Sequence, residues 1–253
     1  MKRCFLPLLM LALLLSGCYA WLPEPGTEVS EAIVSTVPSS PPPTQPSTTP
    51  ETEPETQSQT LPLPEPLATE LVEIAGYIPD ARIALAYATE ENFTGQVIYD
   101  FTDAYLRYGT LRKLVQAAEV LRERGYGIVI WDAYRPVAAQ QSLWDICPDP
   151  NYVSPPGTGT QSHCRGCAVD ITLYDLETGA LLEMPTGFDD FTALADRDYS
   201  DVSENAAANA SFLEEILSQA GFTPYFGEWW HFSDTDIADY DILPEAAPTG
   251  AAA

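Results

Sequence analysis

The chain has 253 residues, with 37 acidic side chains against 11 basic ones and a formal net charge of −26 at neutral pH. So acidic a surface repels nucleic acid and anionic lipid headgroups, which carry the same sign, and argues against nucleic acid as a partner. The length allows one domain with a sizeable core beside segments that do not fold.

Met1-Lys2-Arg3 is followed by an apolar run from Cys4 to Leu15 and then by Ser16-Gly17-Cys18. A basic start and an apolar stretch too short to span a bilayer, ending in small residues, have the form of an export signal rather than a membrane helix. Leu15-Ser16-Gly17-Cys18 also resembles the bacterial lipobox, in which the cysteine is lipidated and left as the first residue. An ordinary cleaved signal with an incidental cysteine is the plainer alternative. On either reading residues 1–17 are removed and the working domain lies outside the cytoplasm. With a lipid on Cys18 the product is a bacterial membrane lipoprotein facing the extracytoplasmic side.

Between Arg3 and Arg82 there is no Lys or Arg, and residues 19–68 hold 12 of the 23 prolines amid Ser, Thr, Gln and Glu. Such a composition buries too little apolar surface to offset chain entropy, so residues 18–68 are expected as a disordered stalk. Residues 69–246 are expected as the folded domain and residues 247–253 as a disordered tail.

Within the domain Leu111, Leu114, Val115, Ala118 and Leu121 recur at helical spacing, and Gly125 and Gly127 end the pattern. Ile128-Val129-Ile130-Trp131 reads as a strand that delivers Asp132 and Arg135 to its end, and Pro136 opens a helix from Val137 to Trp144. Ala168 to Leu173 reads as a further strand, returning through Glu177-Thr178-Gly179 to a partner strand from Leu181 to Met184. A second long helix is expected from near Ser203, packing Phe212, Leu213, Ile216 and Leu217 and stopping at Gly221. Phe226 to Phe232 reads as a last strand. This order predicts an α+β domain with a mostly antiparallel sheet packed by helices.

The chain has two histidines, and each stands near carboxylates: His163 before Asp170, and His231 at the end of Glu228-Trp229-Trp230-His231. Two imidazoles and one carboxylate make three protein ligands for a tetrahedral Zn²⁺ with the fourth position left for water, and a second carboxylate is then spare to act on that water. Glu228 and His231 share a face on a helix but not on a flat strand, so an irregularity is expected between them. The bland alternative makes Trp229 and Trp230 core and His231 their cap.

Ser162-His163 through Asp170, Glu228-Trp229-Trp230-His231 and Trp131-Asp132-Ala133-Tyr134-Arg135-Pro136 closely resemble the zinc-dependent D-alanyl-D-alanine dipeptidases linked to vancomycin resistance. Tyr87-Ala88-Thr89, Asn92-Phe93-Thr94-Gly95 and Phe188-Asp189 fit the same family, in the same order, over about residues 76–232. The resemblance implies a fold like that of the D,D-peptidases and the related hedgehog signalling domain. It implies one zinc ion on His163, Asp170 and His231, with Glu228 as general base and Arg135 facing the scissile carbonyl. By the same resemblance Asp189 and Tyr87 hold the free ammonium of a D,D-dipeptide, Ser162 meets the substrate carboxylate, and Asp132 orients Arg135 or a ligand.

Three departures bear on these expectations. Pro185 stands where the family has Gly, in the loop that carries Asp189. Cys164 and Cys167 replace small hydroxyl residues, and outside the cytoplasm a disulfide from Cys147 to one of them is expected. Export is the third, and it points to trimming or scavenging of peptides derived from the cell wall. Two other functions fit the same residues: a D,D-carboxypeptidase removing the terminal D-Ala of peptidoglycan stem peptides, and a non-catalytic zinc-containing binding lipoprotein.

Overall fold

A computed structural model describes residues 65–243. The expected signal, Cys18, most of the expected stalk and the expected tail lie outside the described residues. In chain order the elements are β1 (Leu71–Glu73), β2 (Arg82–Ile83), β3 (Tyr105–Arg107), α1 (Tyr108–Glu123), β4 (Tyr126–Asp132), α2 (Val137–Ile146), β5 (Ala168–Asp175), α3 (Glu204–Gln219), β6 (Phe222–Pro224) and β7 (His231–Asp234). Five strands form one sheet in the order β2-β4-β5-β7-β6, and β1 pairs with β3 apart from it. Every pairing is antiparallel except that of β2 with β4, so the α+β class expected from the order of elements is the class observed.

The helical spacing in α1 does what it predicts: Leu111, Leu114, Ala118 and Leu121 are buried, while Val115 is partly covered. Gly125, with φ +88°, turns the chain out of α1 in a conformation that a β-carbon disfavours. Ser203 caps α3 by accepting a hydrogen bond from the Ala206 amide at 3.1 Å. Leu213, Ile216 and Leu217 are buried from α3, and α3 packs on α1 and β6. β5 is buried along its length except at Asp175, as a central strand covered on both faces must be.

Two strands differ from expectation. The return after Gly179 makes only one bridge, Leu181 opposite Tyr174, and further back the same edge of β5 is taken by the Trp230 carbonyl and by β7. The Glu-Trp-Trp-His segment is a turn between β6 and β7, and β7 begins at His231. Trp229 and Trp230 are fully buried from that turn, so their apolar character mimics a strand while the backbone reverses. The irregularity expected between Glu228 and His231 is this reversal, with the His231 amide donating to the Glu228 carbonyl at 3.3 Å.

Candidate active site

Antiparallel register sets Asp132 of β4 opposite Asp170 of β5, and Asp170 opposite His231 of β7. Residues paired directly across strands point to one face, so three strands deliver three side chains in a row. A register shift between Ile130 and Asp132 sets the phase of that row, and a slip of one residue would send it to the opposite face.

His163 reaches the row from outside the sheet, on a 3-10 turn of residues His163–Arg165. Gln161 with φ 52° and Gly166 with φ 69° bend the chain on either side of it. The positive φ at Gly166 favours glycine, and a β-carbon there would also stand 3.0 Å from Leu71 Cδ1, a tight approach.

The donor set fits zinc. His163 Nδ1 lies 2.7 Å from the Ala133 carbonyl, which only accepts, so Nδ1 holds the proton and Nε2 presents a lone pair. That Nε2 is 3.2 Å from His231 Nδ1 and 3.3 Å from Asp170 Oδ2, and His231 Nδ1 is 2.9 Å from Asp170 Oδ1. Tetrahedral ligands about 2.0–2.2 Å from a zinc ion lie about 3.3–3.6 Å from one another, close to these separations. The second nitrogen of His231 is held by the Ser233 hydroxyl at 3.0 Å, so each ring is fixed from behind. Burial works to raise the Asp170 carboxyl, but His163 and His231 outweigh it and hold it below the ordinary carboxylate range. Burial likewise opposes charge on His163, and Asp170 and Asp132 overcome it, so the cluster favours positive charge.

Arg135 is pinned beside this cluster. Its Nε and Nη2 donate to Asp132 Oδ2 at 3.0 and 2.6 Å, its Nη1 donates to Gln140 Oε1 at 2.8 Å, and its guanidinium lies over the Tyr87 ring at 5.1 Å. Asp132 is fixed in turn by the Tyr99 hydroxyl at 2.6 Å and the Ala133 amide at 2.9 Å. Asp132 thus orients Arg135 and stands outside the metal-facing group of His163, Asp170 and His231.

Glu228 projects from the turn with Oε2 3.9 Å from His231 Nδ1, and burial pushes its carboxyl above the ordinary range. The Tyr87 hydroxyl donates to Asp189 Oδ2 at 2.8 Å across 102 positions of sequence. Asp189 has φ 54°, uncommon without glycine, and burial pushes its carboxyl well above the ordinary range. Its loop, with Pro185 in it, is tied to the Glu228 turn where Trp229 Nε1 donates to Thr186 Oγ1 at 2.9 Å. Ser162 is buried, and its carbonyl receives the amides of Arg165 and Cys167.

A profile of the D-ala-D-ala dipeptidase family of peptidases matches residues 67–247, most of the chain. The chain belongs to that family. Among relatives of this D-ala-D-ala dipeptidase family member, the D-alanyl-D-alanine dipeptidase of Escherichia coli (strain K12) is 38% identical over 177 residues, covering 70% of this chain and 91% of the relative. That of Enterococcus faecium is 33% identical over 169 residues, covering 58% of this chain and 82% of the relative. Among solved structures, VanYB in complex with D-Alanine-D-Alanine aligns with a TM-score of 0.35 at 16% identity, covering 54% of this chain and 75% of that one, a likeness too slight to bear on the argument. Family membership makes the chain a hydrolase, a metallopeptidase with zinc as its cofactor, and His163, Asp170 and His231 form the group that could hold the ion.

The family member departs from expectation at its cysteines. Cys164 and Cys167 are free thiols, so neither is bridged to Cys147. Both are shut off from solvent, and burial pushes Cys164 up to about 11 and Cys167 to about 12, so they act as small apolar side chains. Sequence reasoning also missed Gln140, Tyr99 and Ser233. Only Ser233, two residues past His231, carried a local signal, because alternation along β7 puts both on one face.

Proposed function

We propose that the chain hydrolyses D-alanyl-D-alanine or a close D,D-dipeptide, with Glu228 moving the proton and Arg135 stabilising the oxyanion. The observation that carries this reading is the placing of Glu228 and Arg135 around the His163, Asp170 and His231 cluster, since metal binding alone needs neither. Zinc, when bound, polarises a carbonyl and brings the pKa of water toward neutrality. The raised carboxyl of Glu228 suits a base that takes a proton from the attacking water and passes it to the leaving amine. Arg135, immobilised by Asp132 and Gln140, meets negative charge developing on the carbonyl oxygen without having to reorganise.

Asp189 and Tyr87 supply the seat for the substrate's ammonium. A partly buried carboxyl held above its ordinary range gains a counter-ion when that ammonium arrives, and a longer peptide, neutral at that point, brings none. This favours a dipeptidase over a carboxypeptidase acting on stem peptides. The sequence before residue 65 supports export as a lipoprotein anchored at Cys18 and a role in the metabolism of cell-wall peptides. Membrane fractionation of the Cys18→Ala chain tests the anchor, and retention in the membrane would refute it.

The activity is tested with Glu228→Ala. Its zinc content is expected to stay at one ion per chain, while hydrolysis of D-Ala-D-Ala falls by about 10²- to 10⁴-fold. Cleavage of a pentapeptide stem but not of the dipeptide by the native chain would transfer the assignment to carboxypeptidase. Zinc binding with no hydrolysis of either would leave a binding protein.

A further inference from the structure

Arg197 lies in the loop after the 3-10 turn Ala193–Ala195, on the chain segment that follows Asp189 and well before Glu228 and His231. Its side chain is 5% exposed. Nε donates to the Tyr225 carbonyl at 2.8 Å, and Nη2 donates to the carbonyls of Trp229 and His231 at 3.0 Å each. Nη1 donates to Glu214 Oε2 of α3 at 2.8 Å and to the Tyr199 hydroxyl at 3.3 Å. A guanidinium has five N–H groups, and all five are engaged. Its carbon sits 4.6 Å from the centre of the Phe232 ring.

The turn from Tyr225 to His231 needs this support. Its own backbone bonds are long: Tyr225 to the His231 carbonyl at 3.2 Å, Glu228 to the Tyr225 carbonyl at 3.2 Å, and His231 to the Glu228 carbonyl at 3.3 Å. Tyr225 and Phe226 at its start are exposed, whereas Trp229 and Trp230 bury its end, where the backbone carbonyls have to find partners in the protein. Arg197 supplies them from one planar fork, its amide adds a bond to the Phe226 carbonyl at 2.9 Å, and the Ala195 carbonyl receives the Trp229 amide at 3.0 Å.

We propose that Arg197 is a positioning residue that fixes Glu228 and His231 relative to each other by clamping the carbonyls of the turn that carries both. The proposal rests on the roles given to those two residues above. A planar fork holds three carbonyls and a carboxylate at set angles, which an ammonium cannot reproduce.

The test compares the native chain with Arg197→Ala and Arg197→Lys in three measurements: zinc affinity by competition with a chelator, kcat and KM for D-Ala-D-Ala, and thermal unfolding. Loss of an outer partner of a metal site costs about 10- to 100-fold in affinity or activity. Arg197→Ala is therefore expected to bind zinc at least about tenfold more weakly and to lose about tenfold or more in kcat, with KM within about twofold. Millimolar methylguanidinium is expected to restore part of the kcat, and Arg197→Lys to recover less than half of the native value. Native zinc affinity and kcat in Arg197→Ala, with only a lowered Tm, would overturn the proposal. If Arg197→Ala does not fold, Arg197→Lys decides by the same split between kcat and KM. An inactive native chain would refute the dipeptidase reading instead, and zinc affinity alone would then judge Arg197.

Discussion

Asp132, Asp170 and His231 stand in a row that strand pairing sets, whereas Tyr87, Asp189 and Glu228 stand on turns and loops. In the row, the backbone ladder of β4, β5 and β7 fixes where each side chain begins, and the side chains behind it only lock rotamers. In the loops, side-chain bonds do the holding: Arg197 clamps backbone carbonyls of the Glu228 turn, Thr186 takes the Trp229 indole N–H, and Tyr87 holds the Asp189 carboxylate. Positions fixed by a ladder open only when the sheet opens, while loop positions open locally. The difference suits Tyr87 and Asp189, since admitting a substrate requires some movement, whereas Glu228 takes part in bond making, which tolerates little misplacement, and so depends on the ties that hold its turn.

The comparison breaks first at Arg135, which the row holds through Asp132. Arg135→Ala is expected to lower kcat about 10²- to 10³-fold, the cost of one oxyanion donor, while zinc content and KM stay near native. Steady-state kinetics beside metal analysis checks this. A change confined to KM would move Arg135 from the chemistry to substrate capture.

On the loop side the matching change is Asp189→Asn, which keeps the shape and removes the charge. A hydrogen bond to a charged group contributes about 1.5–3 kcal/mol, so a rise of about 10- to 100-fold in KM is expected. Preference for the dipeptide over an N-acetylated dipeptide, which lacks the ammonium, should shrink by the same factor. If kcat falls instead and the preference persists, the division of labour between row and loop is wrong.

The legible parts of the sequence were those governed by local rules. The apolar spacing of α1 and α3 and the runs of β4 and β5 place those elements because the period of each is written in neighbouring residues. His163, Asp170, Glu228 and His231 were legible as a motif, yet the turn under Glu228 was not, because two adjacent tryptophans carry the same apolar signal in a strand and in a buried reversal. Arg197 was hidden by its neighbours: a cation between Asp196 and Asp198 reads as a solvated charge, and its acceptors at residues 225–231 are about thirty positions away. Tyr99, whose hydroxyl fixes Asp132 from 33 positions away, was hidden for the same reason. The disulfide was expected from compartment alone, which says nothing about whether thiols face each other.

The smallest effect expected lies away from both halves of the site, at the ion pair between Asp80, which follows Pro79, and Arg122 of α1. Arg122 Nε donates to Asp80 Oδ2 at 2.8 Å, its Nη2 reaches Oδ1, and this hydrogen bonding holds the Asp80 carboxyl below its ordinary range. Because the folded value lies below the unfolded one, the pair stabilises the protein above the unfolded pKa near 4, and that contribution disappears as pH falls through the folded value. Arg122 is 41% exposed, so solvent screening limits the contribution to about 0.2–1 kcal/mol. Asp80→Asn is therefore expected to lower Tm by no more than about 4 °C at pH 7 and by progressively less as pH falls below the unfolded value, relative to the native chain under the same conditions. The kcat and KM of Asp80→Asn should match the native values, because no strand of the row and no turn of the pocket depends on that carboxylate. A kinetic effect at this distance would mean that the helices transmit strain to β4, and the row could no longer be treated as fixed by its own pairing.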